Sequence, residues 1–488
     1  MELLRAGLYR VSIPKPSNRI YKQECCIFFN SAGSEGGLFP DHNSFLAFSR
    51  EHVLRNHNNS ENSVYRNIRK QKWPSISTVC CCTSAASGAV QTTYGPGNAR
   101  WLSNELERLL TVQKNQGDGL VLTRGSWTWL LQDDDHYQLK GEMKFHNISN
   151  CYDLFIPELS GKLQLMADTT LDSFIWAVKV IPRHPGGTPA PRSDGYWTSY
   201  IVEAGQSTTI EVLVDIVSKC GDSLKDIQTG VVKIEYISYG PHGRTQHTQH
   251  AILPLHYPQV SCSELHWRKA ENGQSVLPIS THLLSHLDDP LQVLRTYVLP
   301  HAQPGDVIAI GETPLAIMQG RFRHPVNVRP GTLARLACRL FHPTSSLATA
   351  CGMQVLVDIS GRLRVVVAVI IAVISRVLGS RGMFYRVAGK QARLIDDVTG
   401  TLSPYDKFIT LGPIRVQDTV DALNRKTGVE VAIVDVNDLK RVQILAASKG
   451  VDSKRLEAAL RHNPAGNGDE QTPIVIVRES AKLEEASS

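Results

Sequence analysis

The chain has 488 residues, 42% of them hydrophobic and 20% charged, and a formal net charge of +6. That length predicts two or three domains with ample core. Residues 1–90 hold about 11 Lys/Arg against about 6 Asp/Glu, roughly +5 of the total, so the rest is near neutral and lacks the broad basic composition of a nucleic-acid surface.

Residues 1–95 are basic and rich in Ser and Asn, with no sustained helix or strand period. Arg66, Arg69, Lys70 and Lys72 precede STVCCCTSAASGAV. This is the composition of an organelle transit peptide, and the chloroplast is the expected destination; a merely disordered tail is the alternative. Arg5 and Arg10 interrupt the apolar stretch that a secretory signal needs. Five of the ten cysteines, Cys25, Cys26 and Cys80 to Cys82, lie in this leader. The others are widely spaced without C-x-x-C, which argues for reduced thiols rather than disulfides or zinc.

ARWLSNELERLL predicts a short helix. From about residue 118 the period changes to two. Seven short segments, from GLVLTRGSWTWLL to VVKIEYISYG, each end in turn residues and predict an all-β antiparallel sandwich over 100–257. HPGGTPAPRSDG reads as a loop between strands. His247 and His250 in TQHTQH have no third ligand at a diagnostic spacing, so they read as loop histidines.

A linker over 257–280 leads into a mixed α/β domain at 280–480, with a polar tail at 481–488. LQVLRTYVL reads as a helix, and DVIAIGETPLAIMQG as a strand, a turn and a second apolar run. RLRVVVAVIIAVISRVLGS has an unbroken apolar run of about half the length a membrane span needs. It predicts a core element or an amphipathic surface-seeking helix, so any membrane contact is at most peripheral. VQDTVDALNRKTG is a helix stopped at Gly428, VEVAIVDV a strand, DSKRLEAALRHNPAGN a capped helix and TPIVIVRES a last strand.

GDVIAIGETPLAIMQGR, RLIDDVTGTLSPYDKFITLGP and TGVEVAIVDVNDLK, in this order, resemble coenzyme F-420-0:gamma-glutamyl ligases. HPTSSLATACGMQ, GMFY and NPAGNGDEQTPIVIVR bring residues 282–478 closer to a plant and cyanobacterial group of ligase-like proteins. The resemblance implies a gamma-glutamyl ligase-like fold and GTP- and metal-dependent activation of a carboxylate, followed by attack of an amine. Carboxylates would hold Mg or Mn against the triphosphate. By the same resemblance Asp396, Asp397, Asp435 and Asp438 are the candidate ligands, and Arg321, Arg323 and Lys390 the candidate phosphate contacts. From the residues alone, Asp396 and Asp397 serve equally as turn caps, and Asp435 and Asp438 as caps of a helix DLKRVQILAAS.

The sequence also departs from that family. VNDLKR follows the strand aspartate where the ligases carry a Thr-Phe-Gly-Arg-Pro type loop, and Glu312 stands where their pattern is basic. GxxxxGK[ST] and G-x-S-x-G are both absent, which leaves P-loop nucleotide binding unsupported and weakens a hydrolase reading. Two functions follow: a ligase acting on a carboxylate and an amine, with a nucleotide or small-molecule carboxylate as partner, or a non-catalytic plastid scaffold that keeps the fold and binds protein through its sandwich.

Overall fold

The computed structural model describes Tyr21–Glu24, Thr93–Tyr94 and residues 119–479, except 188–196, 220, 259–265, 344, 381, 397–401, 438–439 and 467–469. Asp397, Asp438, the helix expected in ARWLSNELERLL and nearly all of the leader therefore lie outside the described residues. Contacts divide the chain into two units, Met1–Cys26 with Thr92–Ser488 and Ile27–Gln91; all the described elements belong to the first.

Two antiparallel sheets form the sandwich. One runs Tyr21–Glu24, Leu154–Ala167, Ile227–Gly240, Gly243–Pro254, with Tyr200–Val202 on the far part of Leu154–Ala167. The other runs Thr93–Tyr94, Ser126–Gln132, His136–Asn147, Ser207–Ser218, Phe174–Arg183, with Leu120–Leu122 also paired to His136–Asn147. Alternation does the folding: Tyr137, Leu139, Met143 and Phe145 point inward and meet Leu163, Leu165, Val232 and Ile234 of the opposite sheet. Trp127 is wholly buried because Gly141 opposite it has no side chain; a Cβ there would lie 2.7 Å from the indole.

The stretch expected as a single strand, GLVLTRGSWTWLL, is two. Gly125 takes φ of +74°, and a Cβ on it would lie 2.2 Å from the Glu142 carbonyl oxygen. The chain bends there, and Arg124 is thrown out of the sheet. Its guanidinium donates to the carbonyls of Gly320 and Phe322 at 2.8 Å each and lies 4.1 Å from the centre of the Phe322 ring. This contact and the cluster of Met166, Val231, Ile252, Ile317, Phe322, Tyr405 and Phe408 fasten the sandwich to the α/β body.

The body is a six-stranded mixed sheet in the order Arg268–Lys269, Ser275–Ile279, Ile474–Arg478, Val307–Gly311, Glu430–Val436, Val442–Ala447. Only Val307–Gly311 and Glu430–Val436 run parallel. Helix Val416–Thr427 and the turns at Pro290–Val298 cover one face, and helix Ser453–Leu460 the other. Asp452 caps the latter helix, and Gly428, at φ +72°, closes the former.

Two local expectations change. Glu312 to Pro314 are not a turn: helix Glu312–Met318 starts directly from the strand end. DLKRVQILAAS is not a helix either. Val442–Ala447 is a strand that folds back antiparallel on Glu430–Val436, and Lys440, at φ +62°, sits in the connecting turn. The role of Asp435 as a helix cap is thereby removed.

Between helices Glu312–Met318 and Val416–Thr427 the chain inserts a helical lobe. Helices Thr332–Ala337, Ala350–Ser360, Arg362–Val377 and Met383–Ala388 close around their own core, which includes Met353, Leu356, Val365, Ala368, Phe384 and Ile395. A short pairing of Phe322–Arg323 with Ile409–Thr410 ties off its base.

Candidate cation-binding site

The two parallel strands end side by side. Gly311 is in register with Val434, so Glu312, which leaves the sheet to open a helix, and Asp435, next to last in its strand, stand at the same level. Ligands of α/β sheets collect outside the carboxyl ends of such strands. The inserted lobe returns to this edge at Asp396, whose backbone exchanges hydrogen bonds with Thr410 at 2.9 and 2.8 Å. Three carboxylates from three distant segments thus line one cavity of about 360 Å³, together with Thr313, Arg393, Asn463 and Thr472.

The electrostatics record this convergence. Burial pushes the Glu312 carboxyl up from 4.5 to about 9, reinforced by Asp396 and then Asp435. Burial first and Asp435 second raise Asp396 from 3.8 to about 6, while the Thr313 hydroxyl, donating to its Oδ2 at 3.4 Å, works in the opposite direction. Asp435 is also raised by burial, and Arg441 offsets part of the effect. Glu312 Oε2 is buried and has no hydrogen-bond partner. At neutral pH Glu312 therefore keeps its proton, and the cavity concentrates negative potential that a cation would relieve.

Among the described residues no group of three or more His, Cys, Asp or Glu side chains is placed to hold one metal ion together. A cation here would rest on at most two of the described carboxylates, with water or substrate oxygens completing the shell, as Mg and Mn commonly accept.

The predicted phosphate contacts are disposed differently. Arg321 donates to the Gly412 carbonyl and to Gln391 Oε1, and so staples the base of the lobe. Arg323 forms a buried ion pair with Asp358 at 3.1 Å. Both lie beneath the lobe because the extended pairing at 322–323 turns them toward its core, and neither lines the cavity. Lys390 is exposed and also absent from the lining. Arg393, three residues on, is the guanidinium at the cavity, and it also borders a neighbouring polar depression with Arg441, Gln443 and Ser448. Glu312 stood out in the sequence as a departure from the family; its signal as a site residue was its place directly after a strand in a chain whose other strand carries Asp435 next to its end.

His247 and His250 are not loop histidines: both lie within strand Gly243–Pro254 and serve as packing groups. His247 stacks on Tyr236 and bonds to Ser238, and His250 stacks on His324.

Residues 121–257 match the family described as F420-0:gamma-glutamyl ligase, N-terminal Ig-like domain. Residues 11–74, within the stretch whose composition reads as a leader, match the family described as variant UBP zinc finger. Ubiquitin carboxyl-terminal hydrolase 14 of Arabidopsis thaliana is 54% identical over 72 residues, 15% of this chain and 9% of that protein. Ubiquitin carboxyl-terminal hydrolase 13 of Homo sapiens is 41% identical over 69 residues, 14% of this chain and 8% of that one. This chain thus spans less than a tenth of either relative. Among solved structures, the GAE domain of GGA2p from Saccharomyces cerevisiae aligns over 29% of this chain and 94% of its own, at 14% identity and a TM-score of 0.17, too low to carry an argument.

Proposed function

We propose that the α/β body is a cation-dependent ligase-like module that joins a carboxylate to an amine, with Asp396 and Asp435 holding Mg or Mn against the phosphates of a nucleotide such as GTP and Glu312 lining the same cavity. The observation that carries this reading is the meeting of the three carboxylates in one cavity at the ends of the parallel strands. The adjoining sandwich's match to the N-terminal Ig-like domain of F420-0:gamma-glutamyl ligases supports it. The bound cation would offset phosphate charge and polarise the transferred group. Asp396 and Asp435 supply negative charge from two sides, Thr313 orients Asp396, and Arg393 offers a guanidinium to an anionic oxygen at the cavity. A cation beside Asp396 and Asp435 would weaken the hold of Glu312 on its proton. Asp397 and Asp438 remain candidate additional ligands by sequence.

Thermal melting of the full chain with millimolar Mn and GTP tests this. Ligand at a hundredfold over its Kd stabilises by about 2.7 kcal/mol, and Asp396→Asn or Asp435→Asn should remove that gain. A wild-type chain that does not respond to Mn and GTP overturns the proposal.

A second reading concerns residues 11–74. Their likeness to a variant UBP zinc finger and to ubiquitin hydrolases favours a ubiquitin-contacting segment over a chloroplast address. Cys25, Cys26, His42, His52 and His57 are the thiol and imidazole donors available there for zinc. Titration of the full chain with ubiquitin, and imaging of a carboxyl-terminal fluorescent fusion in plant cells, separate the two. Ubiquitin binding with cytosolic fluorescence supports the segment. Plastid fluorescence without ubiquitin binding supports the address.

A further inference from the structure

Helix Arg362–Val377 is apolar on every side. Val365 and Ala368 fill the lobe's core, yet Leu363, Val366, Val367, Ile370, Ile374 and Val377 face outward at helical spacing, with Leu363 at 83% and Val377 at 84% exposure. With Val373 and Leu378 they expose on the order of 800 Å² of mostly apolar surface, above the few hundred Å² that a monomer ordinarily leaves open. A stripe of that size has an occupant.

Charge identifies it. Residues 321–395 carry twelve Lys/Arg and one acid, Asp358, a formal +11 in a chain whose total is +6. Asp358 is already taken by Arg323. Arg362 and Arg376 stand exposed at the two ends of the stripe, and Arg335 and Arg339 are exposed on the adjoining helix and turn, beside exposed Leu336 and Leu340. A second copy would set one strongly positive field against another. A nucleic acid would meet the arginines but leave the apolar stripe in water. A negatively charged lipid surface meets both demands: the stripe enters the acyl boundary and the arginines reach the headgroups. No described helix is long and apolar enough to cross a bilayer, so the helix lies in the interface plane.

We infer that the inserted lobe docks the protein on anionic membrane surfaces through the outer face of Arg362–Val377. This goes beyond the ligase reading and does not depend on it.

Flotation of the full chain with vesicles tests the inference, comparing phosphatidylcholine alone with phosphatidylcholine containing about a third phosphatidylglycerol. The chain is expected to float with the anionic vesicles and much less with the neutral ones. Ile370→Ser with Val377→Ser should lower the bound fraction at least tenfold. Arg362→Glu with Arg376→Glu should do the same. Melting temperatures should be unchanged for both pairs, since all four side chains are solvent-facing. A chain that stays lipid-free with anionic vesicles overturns the inference. So does a light-scattering mass twice 53.9 kDa that falls to the single value in the Ser pair, because a second copy then covers the stripe. Binding to RNA that survives the Ser pair, without vesicle binding, overturns it as well.

Discussion

Replacing Glu312 with Gln keeps the shape of the side chain and removes its charge. Glu312 is 8% exposed and opens helix Glu312–Met318 with Oε2 unpartnered. Burial, then Asp396, then Asp435 raise its pKa from 4.5 to about 9. Between these values the folded chain holds a proton that the unfolded chain has released. The group's contribution to stability is therefore fully present below pH 4.5, declines as pH rises, and is lost at about pH 9. At pH 7 the interval travelled is about 2.5 units, which at about 1.4 kcal/mol per unit corresponds to roughly 3 kcal/mol. Glu312→Gln should raise stability by up to that amount at pH 7 in EDTA and leave it nearly unchanged at pH 4.5. The Asp396 component, confined to the window from 3.8 to about 6, should remain in the variant. Urea midpoints of the full chain from pH 4.5 to 9 read both effects. A Gln variant no more stable than wild type at pH 8 would refute the reasoning. Added Mn should narrow the difference, because a cation beside Asp396 and Asp435 favours the ionised Glu312 carboxylate that Gln lacks.

Two further outcomes follow from buried charges away from the cavity. Arg124→Ala strands the Gly320 and Phe322 carbonyls and removes the stacking on Phe322, at a cost of about 3 kcal/mol. Calorimetry should resolve the sandwich and the α/β body as separate transitions in the variant; one unchanged transition would show that Arg124 does not couple them. Asp358→Asn leaves Arg323 buried without its counter-charge and should destabilise the lobe by about 3–5 kcal/mol. A variant that melts like the wild type would return Arg323 to the pool of available cations.

The sandwich was legible because a strand with one buried face writes its period directly into the chain, as in Tyr137, Leu139, Met143 and Phe145. The same holds for helix Val416–Thr427, whose apolar spacing and closing Gly428 are local. The break at Gly125 was hidden: it depends on the Glu142 carbonyl, which approaches from the neighbouring strand. The segment DLKRVQILAAS misled because a short apolar run after an Asp fits a capped helix and a returning strand equally well. The hairpin partner Glu430–Val436 decided between them.

Sequence alone established the two architectures, the turn from a period of two to mixed elements, and Asp396 and Asp435 as acids at element ends, since propensity, capping and alternation act over a few residues. Tertiary structure alone decided that Glu312 joins them, that Arg321 and Arg323 staple the lobe instead of facing the cavity, and that one face of an apolar helix is left to solvent. Those outcomes are set by strand register and by a lobe closing across more than eighty residues, where neighbours in space are strangers in sequence.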